Sequence, residues 1–331
     1  MMELYNRIPI FDISPINKSS DLEELTYLAK KLYSIYSTVG FAYIVNHSIQ
    51  QTLFDDIFEQ SKLFHALPEA EKIKIKQNEF FRGYMPMSGS AFEISTLGKT
   101  KEPNKSAAFI LAHEVEESDL DYQKGINLAG PNQWPSSKLL PNFKDTLLNY
   151  RKELTVLARK MVRLFSLALG QNYESLDPYF KKPTTFLRLQ YYPSQQTEVN
   201  REDQYGIAPH TDYGFLTLLV QDDVGGLQVL NKEDGSWIDV PPLRGSIILN
   251  SGDMLRRLSN KIISTPHRVI NLSTRERYSI PFFFEPDMHA IISPIEVSET
   301  DGDNNESFEY ADYLMQRIKA NYNIGAKDKH D

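Results

Sequence analysis

Three side chains in the second half of the sequence have the types and spacing to hold a metal ion: His210 and Asp212 in "APHTDYGFLTLLV", and His267 in "STPHRVIN". The pair alone says little. With 7 histidines and 44 acidic residues, chance gives roughly one His-x-Asp/Glu per chain. Strand side chains alternate between faces, so His210 and Asp212, at the head of an apolar strand, should converge on one side. The bland alternative is a strand-end histidine and a turn aspartate, both solvated. His267 tips the balance, because it lies in a second short β-rich segment, far enough on to be a neighbouring strand. Two imidazoles and one carboxylate on one face suit iron(II) and leave its other coordination positions open. Further on, Arg277 and Ser279 in "RYS" form another i, i+2 pair. A guanidinium and a hydroxyl on an inward face make a fork for a carboxylate, although a surface salt bridge is the commoner fate of a lone arginine.

The elements that must position these groups are legible in outline. After Pro183, apolar segments separated by Gly, Asn, Asp and Pro turns follow one another: "TFLRLQYYP", "HTDYGFLTLLVQ", "GLQVLN", "SWIDVPP", "GSIILNSGD", "STPHRVIN" and "RYSIPFFFEP". Such spacing predicts an all-β sandwich or barrel. Strand parity along "RYSIPFFFEP" puts Phe283 on the face of Arg277 and Ser279, looking into a substrate cavity, and Tyr213 adjoins Asp212. Plain core packing is an equally good account of both.

Before this region, "IPIFDIS" (8–14) reads as a strand stopped by Pro15, and "GFAYIVN" (40–46) as another strand. Helices are expected over 21–36, with Leu22, Leu25, Leu28, Leu32 and Ile35 as the stripe, over 51–64, and over 143–169. The stretch 78–142 reads as loop, and a last helix spans 308–322 with Leu314, Ile318 and Tyr322 on one side. No linker or internal repeat divides the chain, so 1–331 is expected to be one domain, with a helix-rich part over 1–182.

Composition narrows the function classes. A net charge of −8 gives no general attraction for phosphate backbones, so nucleic acid is not an expected partner. The absence of cysteine excludes disulfides, thiolate metal sites and a cysteine nucleophile. No secretory signal and no apolar run of bilayer length is visible, so a cytoplasmic protein without a membrane partner is expected. Nothing calls for an obligate protein partner, and a monomer is the default.

Taken in order, "LRLQYYP", "PHTDYGFLTLL", "DDVGGLQV", "GSIILNSGD", "STPHRV" and "RYSIPFFFEP" resemble the isopenicillin-N-synthase-like family of iron(II)/2-oxoglutarate-dependent dioxygenases. "IPIFDIS", "GFAYIVNHSI", "RGY" and "NQWP" extend the resemblance over about residues 7–320. It implies a mostly β fold with flanking helices and a double-stranded β-helix (jelly-roll) core over 183–295 carrying the iron site. It implies Fe(II) on His210, Asp212 and His267, with 2-oxoglutarate held by Arg277, Ser279 and Tyr192. O2 would be the co-reactant, a small molecule the substrate, and the helix at 307–323 a partial lid. His47, His65, His113, His289 and His330 are not assigned to metal. The resemblance departs most at "KEPNKSAAFILAHEV" (101–115), which would shape the substrate pocket. Two other readings remain open at this stage. One is an isopenicillin-N-synthase-type oxidase without 2-oxoglutarate, in which the Arg-x-Ser pair holds the substrate's own carboxylate. The other is a non-catalytic jelly-roll binding protein. "LQYYP" favours the 2-oxoglutarate users, and an intact triad argues against the binding protein.

Overall fold

Alternating apolar residues build two sheets that face each other. The computed structural model of the chain describes residues 8–18, 21–87, 103–126, 128–195, 205–271, 273–295 and 306–321. The larger sheet contains β1 (Ile10–Asp12), β2 (Phe41–Val45), β3 (Gly83–Met85), β4 (Ala107–Ala112), β5 (Thr184–Tyr192), β7 (Leu216–Gln221), β10 (Ile247–Ser251) and β12 (Arg277–Glu285). Their order is β1-β2-β10-β7-β12-β5-β4-β3. The smaller sheet contains β6 (Ile207–His210), β8 (Leu227–Leu230), β9 (Trp237–Asp239) and β11 (His267–Val269), in the order β6-β11-β8-β9. A short ribbon of β13 (Ile291–Ile292) and β14 (Phe308–Glu309) leads to the last helix.

The two faces of the larger sheet have different partners. Ala42, Ile44, Leu187, Leu189, Leu218, Leu249, Ile280 and Phe282 point to the main core, where they meet three helices. These are α1 (Leu22–Tyr36), α2 (Gln51–His65) and α3 (Phe143–Ala168). Residues of opposite parity look toward the smaller sheet, and Phe41, Tyr43 and Ile248 pack there with Leu227, Val229 and Val269. Near Tyr192 this second core gives way to the functional site. Among the described residues no helix is long and apolar enough to cross a membrane.

Four expectations are corrected. The stretch 78–142 is not all loop, since β3 and β4 extend the larger sheet beyond β5. The residues of β4, "AAFILA", are all buried, so they show no polar alternation, and their alanines are weak strand formers. The larger sheet therefore draws four strands from the first 112 residues, besides those after Pro183. Pro15 does not merely stop a strand: it sits in a helical turn, Ser14–Lys18, where its missing N–H costs nothing. Leu22 is 54% exposed, because the whole first turn of α1 lies beyond the packed surface. Finally, "HTDYGFLTLLVQ" is not one strand. His210 ends β6 in the smaller sheet, β7 starts at Leu216 in the larger one, and Asp212 lies on the crossing between them.

Candidate active site

That crossing brings the three ligand-type residues together. His210 of β6 stands directly opposite His267 of β11 in antiparallel register, with ring centroids 4.3 Å apart. Asp212 Oδ1 lies 3.7 Å from Nε2 of each histidine. The three ligand-capable atoms all fall within 4.8 Å of one another, close enough to hold one metal ion. The convergence comes from two sheets meeting rather than from i, i+2 parity on one strand.

The hydrogen bonds around the cluster orient it. His210 Nδ1 sits 2.8 Å from the Ala208 carbonyl and His267 Nδ1 3.2 Å from the Thr265 carbonyl. A carbonyl only accepts, so each Nδ1 carries the proton and each Nε2 lone pair faces the cluster. Asp212 Oδ2 accepts from Thr217 Oγ1 at 2.5 Å and from Asn250 Nδ2 at 2.7 Å. Thr217 and Asn250 are register partners on β7 and β10, which fixes both donors at once. Oδ1 is left to the histidines. Burial and the neighbouring His267 hold the proton affinity of His210 well below that of a free imidazole. Burial would raise the Asp212 carboxyl, but His267, His210 and the Thr217 and Asn250 donors outweigh it and keep it below the ordinary value. A neutral imidazole at His210 and an ionised carboxylate at Asp212 are the states in which these groups bind a divalent cation.

Glycines permit the crossing. A Cβ on Gly252 would stand 2.2 Å from the Gly214 carbonyl oxygen, and one on Gly214 would overlap the Glu285 carboxyl. Asp253, at the start of α4 (Asp253–Leu258), donates its N–H to the Asp212 carbonyl, and Phe215 N–H donates to Glu285 Oε2, at 2.8 Å each. Glu285 is buried, and desolvation pushes its carboxyl up to about 8, so it stays protonated at neutral pH.

A second polar cluster lies deeper in the same roll. Arg277 on β12 is 0% exposed, stacks 4.7 Å from the Tyr192 ring, and donates from Nη2 to Gln221 Oε1 at 3.0 Å. Its Nε and Nη1 have no hydrogen-bond partner among the described residues. A buried guanidinium with two unsatisfied nitrogens is costly, and a carboxylate is the group that would satisfy it. Ser279 Oγ and Tyr192 OH lie 3.4 Å apart beside it, and burial keeps the Tyr192 phenol protonated as a donor. The site thus fits both halves of an iron and dicarboxylate pair: an oriented ligand triad, and a buried guanidinium with two nitrogens unpaired among the described residues.

A cavity opens over His210 and Asp212. Phe283 and Tyr213 both line it, as do Phe81, Ile110, Phe186, Arg188 and Glu285. Leu314 and Ile318, from α5 (Tyr310–Asn321), close one side. Tyr322 and His330 lie outside the described residues. His47, His65, His113 and His289 stand outside the triad; His65 Nε2, for example, meets the Leu189 carbonyl at 2.9 Å. Sequence reasoning missed Thr217, Asn250, Gln221, Arg188 and Glu285. The available signal was a polar residue inside an apolar strand: "FLRLQYY", "LTLLVQ", "IILNS" and "FFFE" each carry one or more.

The chain matches two family descriptions: the 2OG-Fe(II) oxygenase superfamily over residues 183–286, and the N-terminal region of non-haem dioxygenases in morphine synthesis over 8–137. It is 35% identical to the 2-oxoglutarate-Fe(II) type oxidoreductase hxnY of Emericella nidulans, over 83% of this chain and 78% of that one. It is also 35% identical to a homoarginine-6-hydroxylase of Arabidopsis thaliana, over 94% and 88% of the two chains. A full-length Neurospora crassa protein crystallised with alpha-KG and thymine superposes with a TM-score of 0.80 at 28% identity, covering 95% of this chain and 96% of that one. The fold is thus the double-stranded β-helix of this enzyme class. The chain belongs to the 2OG-Fe(II) oxygenase superfamily, and it is an oxidoreductase that uses Fe(II), 2-oxoglutarate and O2.

Proposed function

We propose that His210, Asp212 and His267 are the iron ligands, that Arg277, Ser279 and Tyr192 hold the far carboxylate of 2-oxoglutarate, and that a small organic molecule is oxidised in the cavity lined by Phe283 and Tyr213. The observation that carries the reading is the division of labour at Asp212: Oδ2 is taken by Thr217 and Asn250, while Oδ1 faces both Nε2 atoms at 3.7 Å. Iron with its cosubstrate supplies the oxidising chemistry, by which R–H, 2-oxoglutarate and O2 become R–OH, succinate and CO2, with desaturation or ring closure as variants.

The protein's own contributions are geometric and electrostatic. The Ala208 and Thr265 carbonyls hold the two imidazoles in one tautomer. Arg277 compensates the cosubstrate's distal charge in a dry setting, and its stacking on Tyr192 fixes the plane of its fork. Helix α5 is the cavity's closure. Tyr310 OH donates to Glu285 at 3.0 Å, Tyr313 OH to the Tyr213 carbonyl at 3.0 Å, and Arg317 to Asp253 at 2.7 Å. Leu314 and Ile318 then keep water from the reacting face.

Anaerobic calorimetry tests the assignment. His267→Ala should abolish Fe(II) binding. Arg277→Leu should leave Fe(II) binding intact and weaken 2-oxoglutarate about 100-fold, the worth of a lost charge-assisted pair. Unchanged 2-oxoglutarate affinity in Arg277→Leu would remove the cosubstrate assignment.

A further inference from the structure

The stretch that carries two of the three ligand-type residues runs between strands: β6 ends at His210 and β7 begins at Leu216. Asp253, buried at the start of α4, holds it twice. Its N–H donates to the Asp212 carbonyl at 2.8 Å, and its Oδ2 accepts from Thr211 Oγ1 at 3.0 Å. Thr211 stands between His210 and Asp212, so the hydroxyl bond fixes the stretch at its centre. The same Oδ2 accepts from Arg317 Nη2 of α5 at 2.7 Å. Arg317 Cζ also lies 4.6 Å from the centroid of the Tyr213 ring, and Tyr313 OH donates to the Tyr213 carbonyl at 3.0 Å. One carboxylate oxygen thus joins the helix that closes the cavity to the residue between two proposed iron ligands. Tyr310, at the start of α5, bonds Glu285 on β12 instead, so that end of the helix is anchored without Asp253.

We propose that Asp253 is a positioning residue that couples closure of the cavity to the iron site, so that docking of α5 and the ligand geometry of residues 210–212 favour each other. Asp253 is buried, and a buried carboxylate is stable only where donors meet it. With Arg317 withdrawn, Oδ2 retains only the Thr211 hydroxyl among the described donors, and the carboxylate is drawn toward water and away from Thr211. In the other direction, a cation held by His210 and Asp212 orders the stretch between them. Thr211 then pins Oδ2 where Arg317 meets it. Coupling of this kind is reciprocal: whatever factor loading adds to docking, docking adds to loading. The consequence is an order of assembly, in which the cavity closes over a loaded site in preference to an empty one. The inference rests on the proposed iron and 2-oxoglutarate sites.

The test follows amide hydrogen exchange over α5 in the full-length protein, anaerobically, without metal and then with Fe(II) and 2-oxoglutarate. Exchange reads the local opening of the helix and needs no turnover. Each protein is compared at iron saturation, judged by the visible band of the Fe(II)–2-oxoglutarate chelate. In the parent, loading should slow exchange of α5 about fivefold. Thr211→Val keeps the shape of the side chain and the Arg317 pair, and should cut the effect of loading to less than about twofold. Asp253→Ala should do the same, while Asp253→Asn, which keeps an acceptor for both donors, should restore part of it. A purely structural role would instead speed exchange by one factor in both states and leave the effect of loading unchanged. Two results would overturn the proposal: a parent that forms the band with no change in α5 exchange, or a slowing that survives undiminished in Thr211→Val. Should Asp253→Ala fail to fold, Thr211→Val decides alone. A parent that forms no band at all would refute the underlying iron and 2-oxoglutarate assignment, and the inference with it.

Discussion

The two faces of the eight-stranded sheet share one backbone and have opposite tasks. On β12, Ile280, Phe282 and Phe284 pack with the helices, while Arg277, Ser279 and Phe283 look into the roll. On β7 and β10, Leu218 and Leu249 face the helices, whereas Thr217 and Asn250 hold Asp212. The helix face supplies the burial that stabilises the fold. The site face accommodates polar groups at the expense of that burial, and register between neighbouring strands sets their geometry. Stability and chemistry are thereby separable at the level of adjacent residues.

The sharpest way to break this comparison is to mutate such neighbours. Phe282→Ala should cost roughly 3–5 kcal/mol of stability, since the ring is fully buried, and leave Fe(II) affinity of the folded fraction unchanged. Phe283→Ala should cost far less stability and raise the substrate requirement instead. Urea unfolding beside anaerobic Fe(II) binding separates the two outcomes, and equal stability losses would undo the distinction.

Glu285, at the mouth end of the site face, gives the next largest effect. Its folded value of about 8 lies above its ordinary 4.5, so the folded protein keeps a proton that the unfolded chain releases. Its contribution is therefore intact below about pH 4.5 and declines as pH rises toward 8. Glu285→Gln should equal the parent at pH 4.5 and exceed it by up to ~5 kcal/mol well above pH 8. Denaturation across that range checks it; a constant offset at all pH values would contradict the account.

A smaller effect is expected at Asp212's supports. Thr217→Val keeps shape and removes one donor from Oδ2, so Fe(II) affinity should fall about 10- to 100-fold with little change in unfolding midpoint. The smallest belongs to the closure. Arg317→Ala breaks the tie to Asp253 and should shift the substrate requirement only about two- to fivefold, within the range of a partly exposed ion pair.

Much of the candidate site was legible because its residues have distinctive chemistry and order. His210, Asp212, His267, Arg277 and Ser279 stand out as types, and the structure brings them into one roll in two clusters. The geometry that joins them was less accessible. Parity on a single strand suggested that His210 and Asp212 converge, whereas they sit on a crossing between sheets that Gly214 and Gly252 make possible. Local alternation cannot reveal a close approach between segments some 40 residues apart in sequence, such as Gly214 and Gly252. Buried supports such as Asn250 and Gln221 were hidden for a related reason. Each is one polar residue in an apolar strand, and its importance depends on register with a partner strand. β4 was missed because a strand buried on both faces loses the alternation by which strands are read.

The most direct test of the central claim is an anaerobic titration of metal-free protein with Fe(II) and then 2-oxoglutarate, followed by the weak visible charge-transfer band of the chelate, with His210→Ala in parallel. The account predicts a band in the parent that saturates at one equivalent of iron and none in the variant. Iron binding without a band, or an equal band in His210→Ala, would contradict it.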